Sequence, residues 1–244
     1  ALLDLSYGGR QIYFTSDYLN GKPIPINGLV WMNDLDTMME EAFEKINQGF
    51  TCLKFKVGNH DFDAECRFLE KFRKSNLGNS VEIRLDANGA FLASEALEKL
   101  KELSRFHIHS IEQPIKHGLW DDMERLCKDS KMKIALDEEL IDIHSFDIAG
   151  KMLKQIRPHY LILKPTLLGG LKASDAWISL AVKFEIGWWA TSALESNYGL
   201  DIISQWVGSK NPTIPQGLGT GMLYENNFQS KSEIVDGNLF YSVS

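Results

Sequence analysis

Six charged residues, Lys54, Lys56, Asp86, Glu112, Asp137 and Lys164, each stand at or near the end of a short strand-like run. Taken singly, none is unusual. A strand-end Asp or Glu commonly caps a helix or meets solvent, and a lone Lys commonly lies on the surface. Their succession is what carries chemistry. If the runs are parallel strands of one barrel, the three carboxylates fall on adjacent strand ends and converge. Carboxylates that close repel and raise one another's pKa unless a cation sits among them. Three hard oxygen ligands without His or Cys suit Mg²⁺, with Mn²⁺ able to take its place. Lys54 and Lys56 share the second strand and Lys164 ends the sixth, four places away in an eight-membered ring. The lysines therefore face a metal-bound substrate from opposite sides. Such a set fits proton abstraction beside a carboxylate. That step makes a dianionic enediolate and needs strong electrophilic help at the carboxylate oxygens. A second Lys nearby disfavours the charged form of the first and so favours a base, while the carboxylates and metal act on it too. Their sum is left open by the sequence.

The elements that must position these groups can be read from periodicity. Residues 51–58, Thr-Cys-Leu-Lys-Phe-Lys-Val-Gly, alternate Leu53, Phe55 and Val57 against Lys54 and Lys56, the two-residue period of a strand. In a half-exposed strand the lysines would face water. In a barrel strand the apolar face meets surrounding helices and the lysines point inward. The rest of the chain decides for the barrel. Strands at 29–32, 51–58, 81–86, 108–113, 133–137, 160–164, 187–193 and 213–217 alternate with helices. The helices are expected at 34–46 with Asp34 as cap, then 62–74, 94–105, 120–128, 145–154, 171–184 and 198–207. Short strands separated by helices imply parallel βαβ units, and eight of them imply an α/β protein of the (β/α)8 TIM-barrel type.

Composition narrows the partners. With 244 residues the chain can bury a sizeable core, and a net charge of −7 disfavours nucleic acid. No apolar run reaches membrane-spanning length, which argues against a membrane partner. The cysteines, Cys52, Cys66 and Cys127, lack metal or disulfide spacing and read as buried thiols of a reducing compartment, the cytoplasm. A small-molecule carboxylate is the expected substrate, and nothing here excludes a homo-oligomer. His107, His109 and His117 bracket strand four without ligand spacing, and Trp188, Trp189 and Trp206 read as packing. Glu82 and Arg84 share the face of Asp86 and are expected to pair in a lower barrel layer.

The motifs Lys54-Phe55-Lys56, Leu85-Asp86-Ala87-Asn88, Ile111-Glu112-Gln113-Pro114, Leu136-Asp137-Glu138 and Leu163-Lys164-Pro165 together resemble the enolase superfamily, specifically its muconate-lactonising subgroup. The resemblance covers nearly the whole chain and implies Asp86, Glu112 and Asp137 as Mg²⁺ ligands. It also implies that an N-terminal α+β capping domain is largely missing from this chain. On that reading 1–28 are the end of the cap and a linker, 29–220 the barrel, and 221–244 a tail packing on barrel or cap.

Segments 191–197 (Thr-Ser-Ala-Leu-Glu-Ser-Asn) and 216–224 (Gln-Gly-Leu-Gly-Thr-Gly-Met-Leu-Tyr) are most similar to one branch of that subgroup. The branch dehydrates 2-succinyl-6-hydroxy-2,4-cyclohexadiene-1-carboxylate to o-succinylbenzoate in menaquinone biosynthesis. The resemblance implies Lys56 as the base that then protonates the leaving hydroxide, Lys164 as a cation on the opposite face, and Lys54 as a neighbour tuning Lys56. Asn88 and Glu138 would orient these groups. Ser192, Ser196 and the backbone near Gly217 and Gly219 would bind the succinyl end, or else serve as turn residues. The runner-up activity is N-acylamino acid racemase or dipeptide epimerase, using both Lys56 and Lys164. A non-catalytic binding barrel is the alternative of another class, and the intact lysines and carboxylates argue against it.

Overall fold

The computed structural model describes residues 12–242. Residues 1–11, the opening of the stretch read above as the end of the cap, lie outside the described residues. At the centre are seven parallel strands in ring order, β2 to β8: Gly28–Val30, Cys52–Lys56, Glu82–Asp86, Ser110–Glu112, Ile134–Leu136, Tyr160–Leu163 and Gly187–Ala190. Helices α1 (Leu35–Asn47), α2 (Phe62–Lys74), α3 (Ala96–Leu103), α4 (Trp120–Asp129), α5 (Glu138–Ile141), α6 (Phe146–Ile156), α7 (Leu171–Lys183) and α8 (Asn197–Gly208) connect or follow them. Asp34 and Asp61 cap α1 and α2 by accepting the Thr37 and Ala64 amides at 2.9 and 3.0 Å, which satisfies otherwise orphaned donors.

The alternation in β3 is resolved in favour of the barrel. Leu53 and Phe55 are fully buried, and Phe55 packs edge-on against Phe68 and Phe72 of α2 at 5.4 and 5.3 Å. Lys54 and Lys56 point the other way, into the ring. Below them the interior is filled by Ala135, Ile162 and Trp189. The Arg84 guanidinium lies 4.2 Å over the Trp189 ring. Its expected pairing with Glu82 is formed at 3.0 Å.

One expectation needs correction. The eighth strand, predicted at 213–217, is reduced to two residues that bridge its neighbours, Gln216 to Ile26 and Gly217 to Thr191, both parallel. Pro215 lacks the amide a ladder needs. Closure rests instead on the Gln216 amide donating to the Pro25 carbonyl, the Gly217 amide to Ala190 and the Ser192 amide to Gly217 (2.8, 2.8 and 3.0 Å). Side chains complete the seam. Gln216 accepts the Ala190 amide through Oε1 at 2.8 Å, and Arg84 crosses the barrel to donate to the Pro215 carbonyl at 2.7 Å. A second, antiparallel sheet joins β1 (Ile24–Pro25) to a hairpin of β9 (Ser232–Val235) and β10 (Asn238–Tyr241), in the order β1-β10-β9.

Candidate active site

Register brings the charged residues together. Lys56 lies opposite Asp86 across β3 and β4, and Asp86 opposite Glu112 across β4 and β5. Glu112 pairs with Ala135, so Asp137, two residues on, rises from the same inward face. Lys164 follows β7, across the ring from β3. Asp86, Glu112 and Asp137 are all almost fully buried. Three carboxylates held out of water at one barrel end demand compensating charge.

In this structure lysines provide it. The Lys54 ammonium donates to Asp86 Oδ2 at 3.0 Å and to Glu112 Oε2 at 3.2 Å, and Lys56 donates to the same Asp86 oxygen at 2.6 Å. Lys164 donates to Asp137 Oδ2. Burial alone would raise the Asp86 pKa, but the Lys54 and Lys56 ammoniums outweigh it and hold the carboxyl at about 2. Glu112 behaves oppositely: burial and then the Asp86 charge push it well above the ordinary carboxylate value, against the pull of Lys54. For Lys54 and Lys164 burial disfavours the ammonium, yet Glu112 and Asp86 around the first, and Asp137 and Glu112 around the second, raise both pKa values.

A divalent cation fits this donor set. Glu112 Oε1 and Asp137 Oδ1 are buried with no hydrogen-bond partner, an arrangement costly unless something else binds those oxygens. The hard carboxylate oxygens suit Mg²⁺. Among the described residues no three acidic, His or Cys side chains are drawn closed around one point; lysine ammoniums stand between the carboxylates instead.

Above the carboxylates opens a cavity of about 300 Å³, whose lining includes Lys54, Lys56, Asp86, Lys164, Ser192, Gly217 and Gly219. Asn88, with a left-handed φ of 43°, accepts from Lys56 at 2.7 Å and donates to Glu138 Oε1 at 2.9 Å. It therefore ties the β3 lysine to the start of α5. Ser196 is not among the lining residues; it stands at the N-cap of α8. Gly217 lines the cavity, but its amide is bonded to Ala190. A Cβ there would fall 2.2 Å from Thr191 Oγ1, so glycine is required for the seam to close. Ser192 donates to Glu195 Oε2 at 2.8 Å, and Thr166 binds the other Glu195 oxygen.

Several site residues have no sequence signal of their own. Asn27, Trp31 and Thr220 also line the cavity, and Asn27 Oδ1 and Thr220 Oγ1 are buried without partners. Glu195 organises the loop after β8. Asn27 and Trp31 stand in none of the motifs, while Thr220 and Glu195 lie inside segments 216–224 and 191–197 with nothing in the sequence to single them out; only the closed ring brings Asn27, Trp31 and Thr220 to the cavity.

The fold and the buried lysine–carboxylate cluster define the class of protein. The chain belongs to the enolase C-terminal domain-like family, whose model matches residues 37–240. Among curated relatives it is 52% identical over 240 residues to the o-succinylbenzoate synthase of Desulfotalea psychrophila. That match covers 98% of this chain and 65% of the relative, so the chain spans a little under two thirds of that protein's length. The crystal structure of MenC from the same organism superposes with a TM-score of 0.92 at 51% identity, over 98% of this chain and 67% of that one. A substrate-liganded L-Ala-D/L-Glu epimerase from Bacillus subtilis, at 19% identity, shares the fold with a TM-score of 0.84, over 97% of this chain and 67% of that one. Among the described residues no helix is long and apolar enough to cross a membrane.

Proposed function

We propose that this chain is the barrel portion of a Mg²⁺-dependent o-succinylbenzoate synthase, a hydro-lyase that dehydrates 2-succinyl-6-hydroxy-2,4-cyclohexadiene-1-carboxylate. The observation that carries the reading is the 52% identity to a synthase of that name, extending over 98% of the chain. It is joined to the lysine–carboxylate cluster at the barrel mouth. In this account Asp86, Glu112 and Asp137 would hold the metal, which when bound would supply electrophilic stabilisation to a substrate carboxylate. Lys56, oriented by Asn88, takes the α-proton as a neutral amine. As an ammonium it returns a proton to the departing hydroxide on the same face, which drives aromatisation. Lys164 supports the developing charge from the opposite wall and can face the ring as a cation. Lys54, bridging Asp86 and Glu112, balances the buried charge beneath Lys56. Ser192 and the wall formed by Gly217 and Gly219 receive the succinyl end; Ser196, at the N-cap of α8 and outside the cavity lining, has no contact with it in this account. The free thiols suit the cytoplasm.

The epimerase reading keeps the same metal and both lysines but needs Lys164 as a second base. A panel assay separates the two. With Mg²⁺ and the full-length protein, the cyclohexadiene carboxylate should be consumed, and dipeptides or N-acylamino acids in D₂O should exchange their α-hydrogens far more slowly. Fast exchange from both enantiomers, without dehydration, would transfer the assignment to the epimerase.

A further inference from the structure

We infer that Gln113, anchored by Glu139, is a positioning residue that sets the spacing of the three carboxylates. The inference rests on their assignment as a divalent-cation site. Gln113 follows Glu112 directly and is fully buried. Its backbone touches both neighbouring strand ends: its amide donates to Ala135 at 2.9 Å, and its carbonyl accepts the Gly89 amide, in the loop after Asp86, at 2.7 Å. Its side chain reaches further. Oε1 accepts the amides of Asp137 and Glu139 at 3.2 and 3.3 Å, while Nε2 donates to the Ile115 carbonyl at 3.0 Å and to Glu139 Oε2 at 3.2 Å. One residue thus ties together the chain segments that bear Asp86, Glu112 and Asp137.

Glu139 makes the tie rigid. It is buried, and its other oxygen accepts the Gly118 amide at 2.8 Å and the Trp120 indole N–H at 2.7 Å. The clamp is therefore fastened to the start of α4. Gln113 holds a φ of 39°, a left-handed conformation that a non-glycine residue keeps only when its surroundings impose it. A simple turn would not need both faces of the amide satisfied. The donor and acceptor arrangement is also directional: an amide faces a carboxylate, so exchanging the two groups keeps the bond between them and loses only the donation to the Ile115 carbonyl, whereas changing Gln113 alone to Glu loses both.

The test is calorimetric Mg²⁺ titration of the full-length protein, with hydrogen exchange at the Asp137 and Glu139 amides. Gln113→Leu should weaken Mg²⁺ binding by roughly 10–100-fold, the loss typical when an outer hydrogen-bond partner of a metal ligand is removed. It should also speed exchange at those two amides. Gln113→Glu, which sets carboxylate against carboxylate, should do the same. The paired exchange Gln113→Glu with Glu139→Gln restores the bond between the two side chains but not the donation to the Ile115 carbonyl, and should recover part of the lost affinity. Should Gln113→Leu fail to fold, Gln113→Glu and the paired exchange make the same comparison. Parent-like affinity in the single variants, or a paired exchange no better than Gln113→Glu, overturns the inference while leaving the metal site standing. Failure of the parent protein to bind Mg²⁺ overturns the metal assignment and the inference with it.

Discussion

The Lys56 ammonium lies 2.6 Å from Asp86 Oδ2, on the strand next door and in direct register. A candidate base and a candidate metal ligand are therefore held by the same ladder of backbone hydrogen bonds. The position of one cannot drift without the other. Lys56→Ala removes the base without removing core packing, because the side chain faces the cavity. Turnover should fall by at least about a hundredfold, the lower range for general acid–base catalysis, with the thermal midpoint nearly unchanged. Steady-state kinetics and a melting curve on the same preparation check both halves.

Glu112→Gln keeps the shape of the side chain and removes one charge from the triad. Burial and the Asp86 charge already disfavour Glu112 as an anion, so folding should tolerate the change. Mg²⁺ affinity should not. Titration calorimetry should show a loss greater than the roughly 10–100-fold cost of an outer partner. Equal Mg²⁺ affinity in this variant would exclude Glu112 as a ligand.

Gly217→Ala tests the seam. The added Cβ would meet Thr191 Oγ1 at 2.2 Å, where Thr191 also donates to the Gly217 carbonyl at 3.1 Å. Forced overpacking of this kind costs about 1–3 kcal/mol, which urea denaturation of parent and variant would read directly.

How far the sequence reveals this molecule follows from the same residues. Lys54 and Lys56 were legible because a two-residue period leaves them no choice of face once the barrel is inferred. The carboxylates are legible because each ends a strand-like run. The eighth strand is predicted from the regular alternation of strands and helices, but residues 213–217, Thr-Ile-Pro-Gln-Gly, include Pro215 and the close contact of Gly217 with Thr191, which leave only a bridge. The sequence leaves the backbone near Gly217 and Gly219 as either a binding wall or a turn; in the structure the Gly217 amide itself bonds the Ala190 carbonyl. Gln113 stands in a quoted motif, but its pairing with Glu139 is not legible, because it spans 26 residues and has no periodic signature. Asn27 and Thr220 reach the cavity only because the ring closes.

Acid should weaken the fold through His159. Its Nδ1 accepts the Ile134 amide at 3.1 Å, which only the unprotonated nitrogen can do, and burial followed by Lys133 lowers its pKa below the ordinary 6.5. A depressed pKa in the folded state means that the unfolded chain binds the proton more readily. The stabilisation is therefore complete above about pH 6.5 and is lost as pH falls towards the folded value. His159→Asn retains an acceptor that does not titrate. Urea midpoints at neutral and mildly acidic pH should fall more for the parent than for this variant.

The most direct test of the central claim follows aromatisation of 2-succinyl-6-hydroxy-2,4-cyclohexadiene-1-carboxylate by ultraviolet absorbance. It uses the full-length protein with Mg²⁺, and EDTA and Lys56→Ala serve as controls. Fast conversion to o-succinylbenzoate, abolished by chelation and by the Lys56 change, is the predicted result. Conversion that survives either control, or no conversion by a protein that binds Mg²⁺, would contradict it.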